Sequence, residues 1–192
     1  HWSFREDSLE KELVVFTNCE RVDLQLNGQV VSSLERSSFP DGVIKSRLDY
    51  IPGELVALAY YKDEAGKQQV VSDMLATSRQ PFILAMQSDR EQIRSNNRDV
   101  VHITTRVTDS TGVTYPHSRQ MISYSLDGPG KIRVIDNGDL ADHHPRGSSR
   151  ELRNGKQLLI LQAGSEPGDL IISASAEGLK TSRVKIKSKN KP

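Results

Sequence analysis

The stretch from Phe16 to Gln29, FTNCERVDLQLNGQ, decides how this chain folds. Val22, Leu24 and Leu26 alternate with Arg21, Asp23 and Gln25, the period of two that gathers an apolar row on one face of a strand. Asn27-Gly28 follows, a pair suited to the two positive-φ positions of a tight hairpin turn. The stretch therefore reads as a half-buried strand running into a hairpin. Cys19 stands just before it with no base or metal partner in view, so it is expected to be buried and inert at a strand junction.

The same period returns along the chain. Val101, Ile103 and Val107 alternate with His102, Thr104 and Arg106; Leu170, Ile172, Ala174 and Ala176 share one parity; Val184 and Ile186 alternate with Arg183, Lys185 and Lys187. Turn signals punctuate these runs, among them Pro40-Asp41-Gly42, Pro52-Gly53, Ala65-Gly66, Gly128-Pro129-Gly130, Asn137-Gly138 and Asn154-Gly155. About six strand candidates precede residue 80 and about seven follow it, close to the seven of an immunoglobulin-like sandwich. The predicted fold is all-β, with two consecutive immunoglobulin-like β-sandwich domains over residues 1–79 and 80–192, the second ending in a basic tail. The boundary is set at Thr77-Ser78-Arg79-Gln80-Pro81, where the proline cannot donate to a ladder and forces an extended residue before it. Phe82 to Met86 then opens the second domain, and the tail KTSRVKIKSKNKP reads as an edge strand with lysines on its wet face before it frays.

Composition excludes several functions. Lys+Arg 26 against Asp+Glu 25 leaves no long-range field to draw the chain to nucleic acid or anionic lipid, and the basic tail has no aromatic platform for bases. No apolar run is long enough to span a bilayer as a helix, and HWSFREDSLEKE lacks the basic start and apolar stretch of a secretory signal. A first residue of His rather than Met points to an excised or processed piece whose localisation signals lie outside it. One cysteine makes neither an internal disulfide nor a cysteine-rich zinc site.

The segment from Asp136 to Arg153 has the least periodicity and is expected to be a surface loop, the usual place for binding residues. It holds His143-His144 near Asp136, Asp139 and Asp142, residue types that bind zinc or calcium, but without the spacing of a zinc helix or a calcium loop. A solvated polar loop is the simpler reading, and no metal or cofactor is expected. Gly128-Pro129-Gly130-Lys131 lacks the full spacing and following helix of a phosphate loop and reads as a tight turn. Gly147-Ser148-Ser149 has no apolar strand leading into it, as a nucleophile elbow requires. The carboxylate pairs Glu10/Glu12 and Asp63/Glu64 read as wet faces or turns, so no catalytic residue is expected.

Several pieces, in order, resemble the C-terminal region of bacterial glycoside hydrolase family 2 enzymes, above all the β-galactosidase branch. They are HWSF, VVFTNCERVDLQLNGQ, PGELVALAYY, ILAMQSDR, DVVHITTRVTDSTGVTYP, GPGKIRVIDNGD and GSEPGDLIISASAEGL. The resemblance implies immunoglobulin-like domains that follow a catalytic barrel, with the two catalytic glutamates on that barrel and so outside these residues. It implies a noncatalytic role in carbohydrate metabolism: supporting the barrel, shaping its cleft or making oligomer contacts. The partners it implies are the barrel of the parent chain, with a glycan and a second parent copy as further candidates, and it points to a periplasmic or extracellular location. Trp2, Phe4 and Tyr115 are the residues picked out for contact with the barrel or a sugar, although packing within the domain is the commoner fate of a tryptophan. The alternative is an autonomous carbohydrate-binding or adhesion module, which would require exposed aromatic rings; aromatics are only 5% of the chain and form no evident strip.

Overall fold

The structure, a computed structural model, describes residues 1–4, 10–141 and 147–190. By its internal contacts the chain divides into two compact units, His1–Thr77 and Ser78–Pro192.

The described strands of the first unit are β1 (Glu10–Val15), β2 (Arg21–Leu26), β3 (Gln29–Glu35), β4 (Ile44–Asp49), β5 (Glu54–Lys62) and β6 (Gln68–Ala76). A four-stranded sheet in the order β3-β2-β5-β6 packs against the pair β1-β4. The β2-β3 connection is the tight hairpin read from Asn27-Gly28: Leu26 faces Gln29, and the two turn residues have φ of 51° and 81°. Val22 and Leu24 on β2 meet Ile44 on β4, with Leu13 and Val15 of β1 beside them. Cys19 is buried in this cluster, its N–H held by the Thr17 hydroxyl at 3.0 Å.

The second unit contains β7 (Ile83–Ser88), β8 (Gln92–Arg94), β9 (Val100–Thr108), β10 (Met121–Asp127), β11 (Gly130–Asp136), β12 (Ser149–Glu151), β13 (Lys156–Ala163), β14 (Gly168–Ser175) and β15 (Ser182–Lys189). These form two layers, β12-β10-β14-β15-β8 and β11-β13-β9-β7. Ile122, Leu170, Ile172 and Ile186 of the first layer pack with Val101, Ile103, Leu159 and Leu161 of the second in one fully buried core. A polar bond also crosses the layers, where Gln157 Nε2 donates to the Tyr124 hydroxyl at 2.7 Å. Burial pushes that hydroxyl up to about 12.

Asp109 fastens the start of this unit. It is 1% exposed, and its carboxylate accepts from the backbone N–H of Arg79, Thr111 and Val113 and from the Thr111 hydroxyl, at 2.7 to 3.1 Å. Burial alone would raise its carboxyl, but these donors outweigh it and hold the group below the ordinary carboxylate range.

Two expectations change. The tail strand β15 is not an edge: it pairs with β14 on one side and, over Lys187 to Lys189, in parallel with β8 on the other. The Asp136 to Arg153 segment is not loop throughout, because β12 pairs with β10, and Arg150 and Leu152 are buried. The tight turn expected at Gly128-Pro129-Gly130 joins β10 to β11, which lie in different sheets, so it carries the chain from one layer to the other. There Gly128 has φ 115°, and a Cβ would collide with the backbone carbonyl of Asp169.

Candidate functional site

Four separate pieces of sequence meet at one end of the first unit: residues 1–4, the Asn27-Gly28 hairpin, the turn from Tyr50 to Glu54, and Thr77. Asn27 is held in its turn by positive φ, and this aims its side chain at the neighbouring turn. Its Oδ1 accepts from Glu54 N–H at 2.9 Å and its Nδ2 donates to Pro52 C=O at 3.1 Å. Gly53 between them has φ 139°, and a Cβ there would overlap the Asn27 amide, so only glycine fits.

Thr77 closes the arrangement. Its hydroxyl donates to Trp2 C=O at 2.6 Å and accepts from Gly53 N–H at 3.0 Å, while its own N–H donates to Gly53 C=O at 2.8 Å. The Trp2 indole Nε1 donates to Ile51 C=O at 2.9 Å. Trp2, Phe4 and Tyr50 then stack edge to face around one another, with ring centroids 5.0 to 5.9 Å apart. Lys11 Nζ sits 4.5 Å from the Phe4 centroid. This is a clamp of ring packing and hydrogen bonds, in which the Asn27 and Thr77 side chains are spent on backbone partners.

Of the aromatic residues singled out from sequence, Trp2 and Phe4 are brought together, and Tyr115 lies in the other unit. Trp2 is only 1% exposed, so its ring is spent inside its own unit and has no free face to offer. Phe4 is half-buried at the rim of the same cluster. Tyr115 is half-buried against the second core, edge-on to His117 at 5.7 Å.

The carboxylate pairs are engaged elsewhere. Glu10 and Glu12 flank the Arg47 guanidinium at 3.5 and 4.0 Å on an exposed face. Asp63 organises a turn, accepting from Gln69 Nε2 and from the N–H groups of Lys67 and Ala65; these bonds, with the Gln69 one first, hold its carboxyl below the usual range. Asp136 bonds Gly138 N–H at 2.7 Å, and Asp139 pairs with Arg153 at 3.3 Å. Asp142, His143 and His144 lie outside the described residues. Among the described residues no group of three or more His, Cys, Asp or Glu is placed to hold a metal ion.

The clamp was only half legible in sequence. The sequence marks Asn27-Gly28 and Pro52-Gly53 as turns but not that they grip each other, and it places Thr77 only in the linker. The first unit also has a groove of about 400 Å³, bordered by Val14, Phe16, Val71 and Leu75 over Leu24 and Leu55.

The family model for glycoside hydrolase family 2 C-terminal domain 5 matches residues 84–185, more than half of the chain. The chain belongs to that family. A model for a domain of unknown function matches residues 9–68, within the first unit. The β-galactosidase BoGH2A of Bacteroides ovatus is 24% identical over 187 residues, which are 97% of this chain and 21% of the relative. A β-galactosidase of Thermoanaerobacter pseudethanolicus is 23% identical over 204 residues, 98% of this chain and 25% of the relative. The chain thus spans about a fifth to a quarter of the length of the curated relatives it matches. In fold it is similar to a solved family 2 member from Bacteroides cellulosilyticus, with a TM-score of 0.88 at 24% identity, covering 99% of this chain and 24% of that one. The 192 residues correspond to a C-terminal, accessory portion of a family 2 glycoside hydrolase.

Proposed function

We propose that this family 2 chain is the noncatalytic C-terminal pair of sandwiches of a β-galactosidase-like enzyme, and that it buttresses the catalytic barrel of its parent. The observation that carries this reading is the match of nearly the whole chain to only 21% and 25% of two β-galactosidases. The clamp gives the reading a physical form. A single hydroxyl at Thr77 ties Trp2 to the Gly53 turn, so the beginning and the end of the first unit are held at one point. Support delivered there would need rigidity, and interlocked rings and short backbone bonds supply it.

Hydrolysis with retention needs two carboxyl groups about 5 Å apart in a cleft that admits a sugar. That chemistry is assigned to the parent's barrel. Contact with the glycan, shaping of the cleft and oligomer contacts are secondary roles for the same surfaces. Removing these 192 residues from the parent enzyme is expected to lower the temperature at which galactoside hydrolysis is lost, while leaving the preference among aryl glycosides unchanged. An enzyme equally heat-stable without them would rule out the buttress.

A further inference from the structure

Among the described residues the first unit has unequal layers: four strands in one sheet face two in the other. The inner face of β5 and β6 is therefore incompletely covered, and the groove of about 400 Å³ lies there. Register puts Leu55, Ala57 and Ala59 of β5 opposite Leu75, Asp73 and Val71 of β6, and all six line the groove. On the other side Leu13, Val14, Val15, Phe16 and Thr17 line it in unbroken succession. Side chains alternate across a strand, so consecutive residues border one space only where the strand turns its edge toward it. Among the described residues β1 pairs with β4 alone, so its other edge offers backbone N–H and C=O groups without a ladder.

The rim is apolar and open. Phe16 is 80% exposed, Val71 50%, Val14 43% and Leu75 38%; the outer face of β6 adds Val70 and Met74 at 54% each. Edge strands are ordinarily guarded by charge, proline or a bulge. The edge strand β11 of the second unit carries Lys131 and Arg133, and β6 carries one charge in nine residues, Asp73, on its groove-facing side. An edge strand that exposes Val71 and Leu75 on one face and Val70 and Met74 on the other is suited to being covered.

Building on the parent enzyme proposed above, we propose that this groove is the docking site for an extended apolar segment of the parent chain lying outside these 192 residues, seated along the β1 edge and covering Phe16, Val71 and Leu75. Two observations select this occupant. The relatives hold three quarters or more of their length outside the matched region, so such a segment is available within one chain. The β1 edge, unpaired among the described residues and beside the largely apolar groove, fits an added strand, which gains backbone bonds from the edge and anchoring from alternate side chains. The lining has one aromatic ring and few polar groups, which is poor material for a sugar.

Hydrogen exchange tests this on the full parent chain and on the 192-residue chain side by side. The amides from Leu13 to Thr17 and from Val70 to Leu75 are expected to exchange at least about tenfold more slowly in the parent. Phe16→Glu is expected to abolish that extra protection in the parent without shifting the melting temperature of the 192-residue chain, and Val30→Glu, at the far edge of the sheet, to leave it intact. Equal exchange in a parent that carries a barrel would overturn the groove while leaving the buttress standing. Protection that appears in the 192-residue chain alone and grows with its concentration would assign the groove to a second copy and overturn the proposal. A parent with no barrel would remove the underlying reading itself.

Discussion

Replacing Trp2 by alanine is expected to destabilise the first unit by about 3 to 5 kcal/mol, the range for deleting a large buried aromatic. The indole is 1% exposed and packs edge to face on both Phe4 and Tyr50 in a cluster that includes Leu26 and Leu55, so its removal opens a cavity in that core. It also strands the Ile51 carbonyl, which receives the Nε1–H at 2.9 Å. Small domains have only about 5 to 15 kcal/mol in total. The first unit should therefore melt well before the second, whose core contains no part of this cluster. Because the chain has one tryptophan, its fluorescence disappears with the substitution, and amide exchange resolved by segment is the suitable probe. Trp2→Phe should recover part of the loss by refilling part of the volume. A first unit that melts unchanged in Trp2→Ala would show that residues 1–4 are not integral to it.

The second large effect is expected at Gly53. Gly53→Ala forces a side chain onto a backbone with φ 139°, at a cost of about 1 to 3 kcal/mol for strain alone. The new methyl also displaces the Asn27 amide, which loses its bonds to Pro52 C=O and Glu54 N–H, each worth about 1 kcal/mol. Asn27→Gly removes the same two bonds while keeping a residue at ease with φ 51°, so it should cost less. Combining the two should cost less than their sum, since the second substitution finds the bonds already broken. Urea denaturation of the two single variants and the double variant measures this directly. Strict additivity would mean that Asn27 and Gly53 do not act as one clamp.

The strands were legible in the sequence because their faces differ. Val22, Leu24 and Leu26 point inward and their neighbours outward, and the period of two follows. The Asn27-Gly28 hairpin was legible because few residue pairs tolerate positive φ twice in succession. What the sequence conceals depends on contacts distant in the chain. Thr77 is 75 residues from the carbonyl it binds, and nothing local to a threonine in a polar linker announces that. The three residues of β8 are too few to display a period, so β15 was read as an edge for want of its parallel neighbour. Strand β12 is hidden for the same reason, although its middle residue Arg150 is buried and donates to the Ile135 carbonyl at 2.6 Å.

Strand β6 is the instructive case. Val70-Val71 and Met74-Leu75 are adjacent apolar pairs, which break a period of two and so weaken the strand signal. The structure shows why: Val71 and Leu75 face the groove while Val70 and Met74 face the other side, all of them exposed. A broken alternation in an otherwise regular strand was the available sign of a surface made to be covered.

The central claim, that the chemistry lies outside this chain and the support within it, is tested most directly by turnover of aryl galactosides and aryl glucuronides. The purified 192-residue chain and its full parent should be assayed at equal molar concentration. The account predicts hydrolysis by the parent and none by the chain alone. Turnover by the chain alone, retained in a preparation free of the parent, would contradict it.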